Sequence, residues 1–358
     1  MKIAISFILI SFFSFHVFVP IQAQDIFKKD NNLYSTRELT ISIPNIDHRK
    51  LIVKSAMTLS GKLSIVTSNK EGASSDNQVI VNYYKQAKTD SESKAIDFID
   101  LIDVSLEKVP EGIQLELRAP NPAPWEKMDL GLVNADIVIP EFCEVEIDAP
   151  YFDVTAEGPF ESMAIPSSFG RFDIQYVTEK LSLATLNRRV AIKNISGSID
   201  VSTTNSSLIA LDINCPDDKA IFRNDGGDIK IDGVTGQLNV KNNYGRIEIK
   251  NFEPRGQENY IRDFNGPIDV SILSMTDQQL LISNRFEDID ITVPDNISAI
   301  LALAVDEGNK IEVSNLFFKP DLVRKNRLNL VVGKGKGLIN GSISGRGNIF
   351  VRGINEGE

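Results

Sequence analysis

The chain has 358 residues, of which 42% are hydrophobic and 24% charged, enough apolar content to bury a sizeable core and too much for a disordered chain. Its net charge of −11 argues against a nucleic-acid surface, which needs clustered Lys and Arg. Two Cys, two His and one Trp exclude a disulfide framework, a Cys/His zinc module and most histidine-dependent catalysis.

Lys2 precedes an apolar run from Ile3 to Val19, and Pro20 and Ala23 follow it. This pattern predicts a signal peptide over residues 1–23, cleaved after Ala23. The alternative is an N-terminal membrane anchor of similar length. No Cys stands at the cleavage site, so a lipoprotein is not expected. Cleavage removes Lys2 and His16, which leaves His48 as the one histidine and makes the charge one unit more negative. The expected location is outside the cytoplasm: periplasm, cell surface or medium.

Residues 24–358 read as one domain, with an irregular N-terminal cap and first coils over about 24–130 and regular coils over about 131–353. In the cap, strands are predicted over Glu38–Ile43, Leu63–Thr67 and Gln78–Tyr83. A short amphipathic helix with an acidic cap is expected between Thr89 and Leu101, using Ile96 and Ile99. Strands follow at Ile102–Glu107 and Ile113–Arg118, then a Pro-rich loop, Pro120–Pro124, leading to Trp125.

From about residue 130 a turn with Gly or Asn alternates with an apolar–polar–apolar triplet. Examples are Gly170-Arg-Phe-Asp-Ile174, Gly197-Ser-Ile-Asp-Val201, Gly227-Asp-Ile-Lys-Ile231 and Gly245-Arg-Ile-Glu-Ile249. Phe172, Leu181, Val190, Ile199 and Leu208 follow at steps of nine, and later strands near Ile268, Ile282, Ile289, Leu301 and Ile311 are spaced more widely. A near-constant step, a repeated inward pair and turns rich in Asn and Gly favour an all-β, single-stranded parallel β-helix (β-solenoid) with one short helix in its cap. The parallel crossover rule favours right-handed coiling. An antiparallel sandwich is the alternative.

Ala135-Asp-Ile-Val-Ile-Pro-Glu-Phe-Cys-Glu-Val-Glu-Ile147, the repeated Gly-x-Ile-x-Val strands and the ending Gly333–Gly345 with Gly347–Val351 resemble a group of exported bacterial proteins. These are the "putative adhesin" proteins, among them the auto-transporter adhesin "head GIN" domains. The resemblance spans roughly residues 38–353 and implies a β-helix at the cell envelope. It implies no chemistry and supplies no catalytic residues.

Candidate chemistry is sparse. His48 sits in the polar turn Asp47–Lys50 and reads as a solvated turn residue. The acidic turns Asp217-Asp218, Asp225–Asp228 with Asp232, and Asp288 with Asp290 offer oxygens for calcium. They lack the Gly-Gly-x-Gly-x-Asp repeat of calcium-binding β-rolls, so outer-face carboxylates are the simpler reading. Asp173, Asp200 and Asp269 are placed as a stack on one outer face, which would raise their pKa values or require cations such as Lys230 and Arg246. Trp125 reads as closing an end of the core, with sugar stacking as the alternative. Cys143 and Cys215 are expected three to four coils apart, hence free. Arg188-Arg189 and Lys334–Lys336 read as polar turns. No catalytic, cofactor or metal site is assigned. The function expected is non-enzymatic: an envelope scaffold or adhesin-like module with glycan or protein partners, no nucleic acid and no membrane span after signal cleavage. The alternatives are a polysaccharide lyase or hydrolase and an assembly or signalling component.

Overall fold

The computed structural model describes residues 25–44, 49–68, 78–125 and 128–354. The expected signal peptide over residues 1–23 and His48 lie outside the described residues.

The chain winds into a parallel β-solenoid. Phe172–Leu186 shows the unit. Its first half pairs in parallel with Val190–Ser196, and its second half with Ser198–Thr204. Phe172 lies opposite Val190, and Val190 opposite Leu208, so one coil takes eighteen residues. The nine-residue step is therefore half a coil, one face and then the other. Further on some coils are three residues longer: Leu208 faces Ile229 and Ile247 faces Ile268, whereas Ile229 faces Ile247 at the eighteen-residue step. The first extra residues fall in a bulge between Cys215 and Lys219, which contains Asp217 and Asp218.

Two devices turn each coil. Between the faces, Tyr176, Asn194, Asp212, Gly233 and Asn251 all have φ between 50° and 71°. A left-handed residue breaks the in–out alternation, and Asn, Asp and Gly adopt it at least cost. At the far edge, glycines let successive coils touch. A Cβ on Gly266 would come within 1.8 Å of the Gly245 carbonyl oxygen, and one on Gly245 within 2.4 Å of that of Gly227.

Inside runs one apolar cluster from Leu51 to Val351, with Phe152, Phe160, Phe172, Phe222 and Phe252 fully buried. Each buried Ile, Leu, Val or Phe contributes about 1.5–3 kcal/mol, so stability is spread along the axis rather than held at one centre.

Both ends depart from simple winding. Lys50–Ser55 lies between Gly112–Arg118 and Glu144–Asp148. Leu59–Thr67 lies between Leu130–Ile139 and Phe152–Ser168. At the other end Gly337–Ile343 slots between Gln279–Asn284 and Ala299–Ala304. Likewise Ile349–Ile354 slots between Ile289–Pro294 and Ile311–Ser314. The first and last coils in sequence are thus interior rungs in space.

Antiparallel pairs extend the stack beyond these rungs. Gln78–Lys88 pairs with Leu130–Ile139, and Asp103–Val109 with Gly112–Arg118. Arg327–Val332 covers Ala299–Ala304 and is itself backed by Phe318–Arg324. The helix Glu92–Asp100 packs on the N-terminal end through Ala95, Phe98 and Ile99. Its cap is not acidic: the Ser91 side chain accepts from the Lys94 amide, and Glu92 follows in the first turn. Ile96, expected in the apolar face, is exposed, because the buried stripe runs through Ala95, Phe98 and Ile99.

Ile339 in the inserted coil is fully buried, whereas Val313 in the outermost one is half-exposed. Ile339→Ala is expected to cost about 2–5 kcal/mol and Val313→Ala clearly less, read from urea midpoints. Equal losses would contradict the inserted order.

Candidate functional site

The structure disperses most of the residues singled out by sequence. Asp173 and Asp269 share one outward column of the first face, but Ala191, Ile209, Lys230 and Glu248 separate them. Asp200 does not join them. It lies on the second face, between Ser182 and Ile221, because the half-coil step carries it there. The acids that do stack are Glu248, Asp269 and Asp290 on consecutive strands. Burial pushes the Asp269 carboxyl upward, opposed by Arg246, and burial with the Asp269 charge pushes Asp290 upward. Cations answer the ladder: Arg246 reaches Asp269 at 3.3 Å and Lys250 reaches Glu248 at 2.7 Å.

The acidic turns serve the coils. Asp228 Oδ1 accepts from the Arg246 amide at 3.0 Å, Asp232 from Asn251 Nδ2 at 2.7 Å, and Asp288 from the Asn348 amide at 2.7 Å. Among the described residues no group of three or more His, Cys, Asp or Glu is arranged to hold a metal ion.

Trp125 closes the core. Its Nε1 donates to the Thr58 carbonyl at 3.0 Å, its ring meets Phe98 edge-on at 5.7 Å, and it fills the space a Cβ on Gly131 would need. Cys143 and Cys215 are free and buried. They stand four coils apart in one column, roughly 19 Å at ordinary strand spacing. Burial pushes their thiols up to about 11 and about 12, so neither is a ready nucleophile. Arg188 and Arg189 sit in an exposed turn, and the Lys334 and Lys336 amides donate to Ser298 Oγ.

What the structure does assemble is the edge where the second face turns back to the first. Inside this edge runs a column of buried polar residues, one per coil: Ser168, Thr185, Thr203, Asn224, Asn242, Asp263 and Asn284. Asn242 Nδ2 donates to the Gly227 and Gly245 carbonyls at 2.9 and 3.1 Å, and Asn224 and Asn284 make equivalent bonds to backbone carbonyls. These bonds pin each turn to the one before it. With the polar side chain turned in, the residues just after it must point out.

The outward residues form a mixed aromatic and amide ridge. Tyr151 and Phe169 stack at 5.2 Å with planes 10° apart. Asn205 Nδ2 donates to Asn187 Oδ1 at 3.2 Å on the next two coils. Tyr244 is 56% exposed. Phe264 and Phe286 meet edge-on at 5.4 Å, with the Arg285 guanidinium 4.8 and 5.0 Å from their rings. Large rings half in water cost more to expose than smaller side chains, and here they recur along one edge. Sequence reading missed this ridge, although Phe169-Gly170 and Tyr244-Gly245 show an aromatic directly ahead of the turn glycine.

No protein-family model matches the chain, and no curated protein matches it. Among solved structures it is similar to a "putative cell adhesion protein" from Clostridium sporogenes ATCC 15579, at 11% identity over 89% of this chain and 99% of that one, with TM-score 0.22. It is similar to a "putative adhesin" from Parabacteroides distasonis ATCC 8503, at 9% identity over 88% and 97%, with TM-score 0.32. A "putative adhesin" from Parabacteroides merdae ATCC 43184 matches at 9% identity over 88% and 95%, with TM-score 0.31. Likeness at this level carries no argument about what this chain does. Among the described residues no helix is long and apolar enough to cross a membrane.

One member of the buried column differs in kind. Asp263 Oδ1 accepts from the Phe264, Asn265 and Gly266 amides, while its Oδ2 is buried without a partner. Burial pushes this carboxyl up to about 6, against the pull of the three amides. A raised folded-state pKa means the folded protein holds the proton more tightly than the unfolded chain does. Stability then falls as pH rises from about 4 through about 6, and stays low above that. Asp263→Asn restores the side chain of its neighbours. It is expected to stabilise at pH 7 by about 1–3 kcal/mol, with the gain vanishing below about pH 4. Urea midpoints across that range would show it, and a gain independent of pH would refute it.

Proposed function

We propose that the protein is a non-catalytic, exported module of the cell envelope that presents its aromatic and amide edge to glycan. The observation that carries this reading is the stacked Tyr151–Phe169 pair followed on successive coils by the hydrogen-bonded Asn187–Asn205 pair. Aromatic rings offer an apolar face to the C–H side of a sugar, and amides offer both a donor and an acceptor to its hydroxyls. A solenoid sets such groups at one strand spacing per coil on a rigid base, so an extended chain can meet several in a row without ordering loops.

The expected signal peptide supports export, and the deep burial of both thiols and the partnering of Asp269 and Glu248 by cations support a display role over catalysis. The reading makes a measurable demand. Replacing Tyr151 and Phe169 together by Ala should weaken binding to a neutral β-linked oligosaccharide by about tenfold, with the far-ultraviolet circular dichroism unchanged. Unaltered binding in that variant, or no binding by the wild type, would remove the aromatic pair from the account. Release of reducing ends from polysaccharide by the wild type but not by Asp269→Asn would instead favour an enzyme.

A further inference from the structure

We propose that the C-terminal part of this edge, with the adjoining outer surface of the second face, is a binding site for an anionic glycan, one bearing carboxylate or sulfate groups. The inference rests on the reading that the edge meets glycan, and narrows it to a chemical class.

Arg223, Lys241 and Arg262 take the same outward position on three consecutive parallel strands. Adjacent strands lie about 4.7–4.9 Å apart. The same position holds Ser202 on the strand before and Ser283 on the strand after, so the cations are confined to one stretch. Like charges directly opposite one another weaken a sheet. The fold has no need of them here, as the serines on either side show.

Nor does the protein neutralise them, although acids outnumber bases 49 to 38 over the whole sequence. Arg223 pairs with Asp200, but among the described residues Lys241 and Arg262 have no acid within ion-pair distance. Arg285, at the adjacent turn, has none either and lies against the Phe264 and Phe286 rings. Three unpaired cations therefore gather on an acidic chain.

Two of them, Arg262 and Arg285, also line a shape. A hollow of about 460 Å³ is bounded by Arg262, Phe264, Ser283, Arg285, Phe286 and Ser344. A second, of about 230 Å³, shares Arg262 and Ser283 and adds Tyr260, Leu281 and Asn340. Two acids touch the first hollow, each with one carboxylate oxygen held by backbone amides. Asp263 Oδ1 caps its own turn, and Asp306 Oδ2 accepts from the Gly345 amide at 2.8 Å.

Guanidinium groups grip carboxylate or sulfate in a bidentate fork, while Tyr260 and the Phe rings offer apolar faces and the serines and Asn340 serve hydroxyls. An acidic sugar is the ligand that needs all of these together. A nucleic acid would call for a longer run of phosphate contacts than three or four cations supply.

The test is titration calorimetry on the full chain with four probes: polygalacturonate oligomers for carboxylate, heparin oligosaccharide for sulfate, a neutral β-linked oligosaccharide and short single-stranded DNA. The wild type should bind one or both anionic glycans, more weakly as salt rises. Lys241→Ala with Arg262→Ala should lose about tenfold or more in that affinity, keep or raise its unfolding midpoint, and bind the neutral probe as before. Arg285→Ala, on a separate turn, should repeat the loss. Failure to bind any glycan would overturn the proposed function and this inference together. Neutral binding without anionic binding would overturn this inference alone, as would DNA bound as tightly as the acidic glycans or affinity indifferent to Lys241 and Arg262.

Discussion

Everything in this molecule depends on backbone hydrogen bonding between successive coils. In the regular coils each strand bonds in parallel to the coil before and the coil after, so those coils must follow one path. A corner solved once must be solved again at every coil. That is why left-handed residues recur at Tyr176, Asn194, Asp212, Gly233 and Asn251, and why polar side chains recur within the opposite edge. The second set of corners is the consequential one. A turn buried against its neighbours leaves carbonyls that water cannot reach, and Asn224, Asn242 and Asn284 satisfy them from inside. By using the inward position for polar groups, the fold fixes which residues the edge shows to solvent.

The repeat was legible in the sequence because burial acts residue by residue. Phe172 and Ile174, or Ile199 and Val201, announce an inward pair wherever they fall. What the pattern cannot carry is which face a pair belongs to, since both faces obey the same alternation. The triplets around Asp173 and Asp200 look alike and sit on different faces for that reason. The helix was visible from its spacing, but its phase was not: Ile96 and Ile99 are equally apolar, and only packing against Tyr34 and Trp125 selects Ile99. The free cysteines followed from arithmetic, because the 72 residues between Cys143 and Cys215 place them several coils apart, beyond disulfide reach.

The ridge was harder to see for a physical reason. An exposed aromatic and a core aromatic are the same letter, and Phe169 and Phe172 stand three residues apart with opposite fates. The cation row is invisible for another reason. Arg223, Lys241 and Arg262 follow one another at about twenty residues along the chain and become neighbours only once coil length is known, including the extra residues between Pro254 and Asn259. Function in a solenoid is written across the coils, perpendicular to the sequence.

The inserted terminal coils bear on how such a chain can be made. A solenoid wound in sequence order can zip up as it is synthesised, each new coil using the last as a template. Here the strand Lys50–Ser55 gains its partners only when Gly112–Arg118 and Glu144–Asp148 have arrived, and Ala299–Ser314 leaves a gap that the last residues of the chain must fill. The middle can grow by templating, but both ends are closed by segments that come late. Once closed, neither terminal coil can peel away without parting two neighbours at once, so the stack resists unravelling from the places where a linear array is weakest.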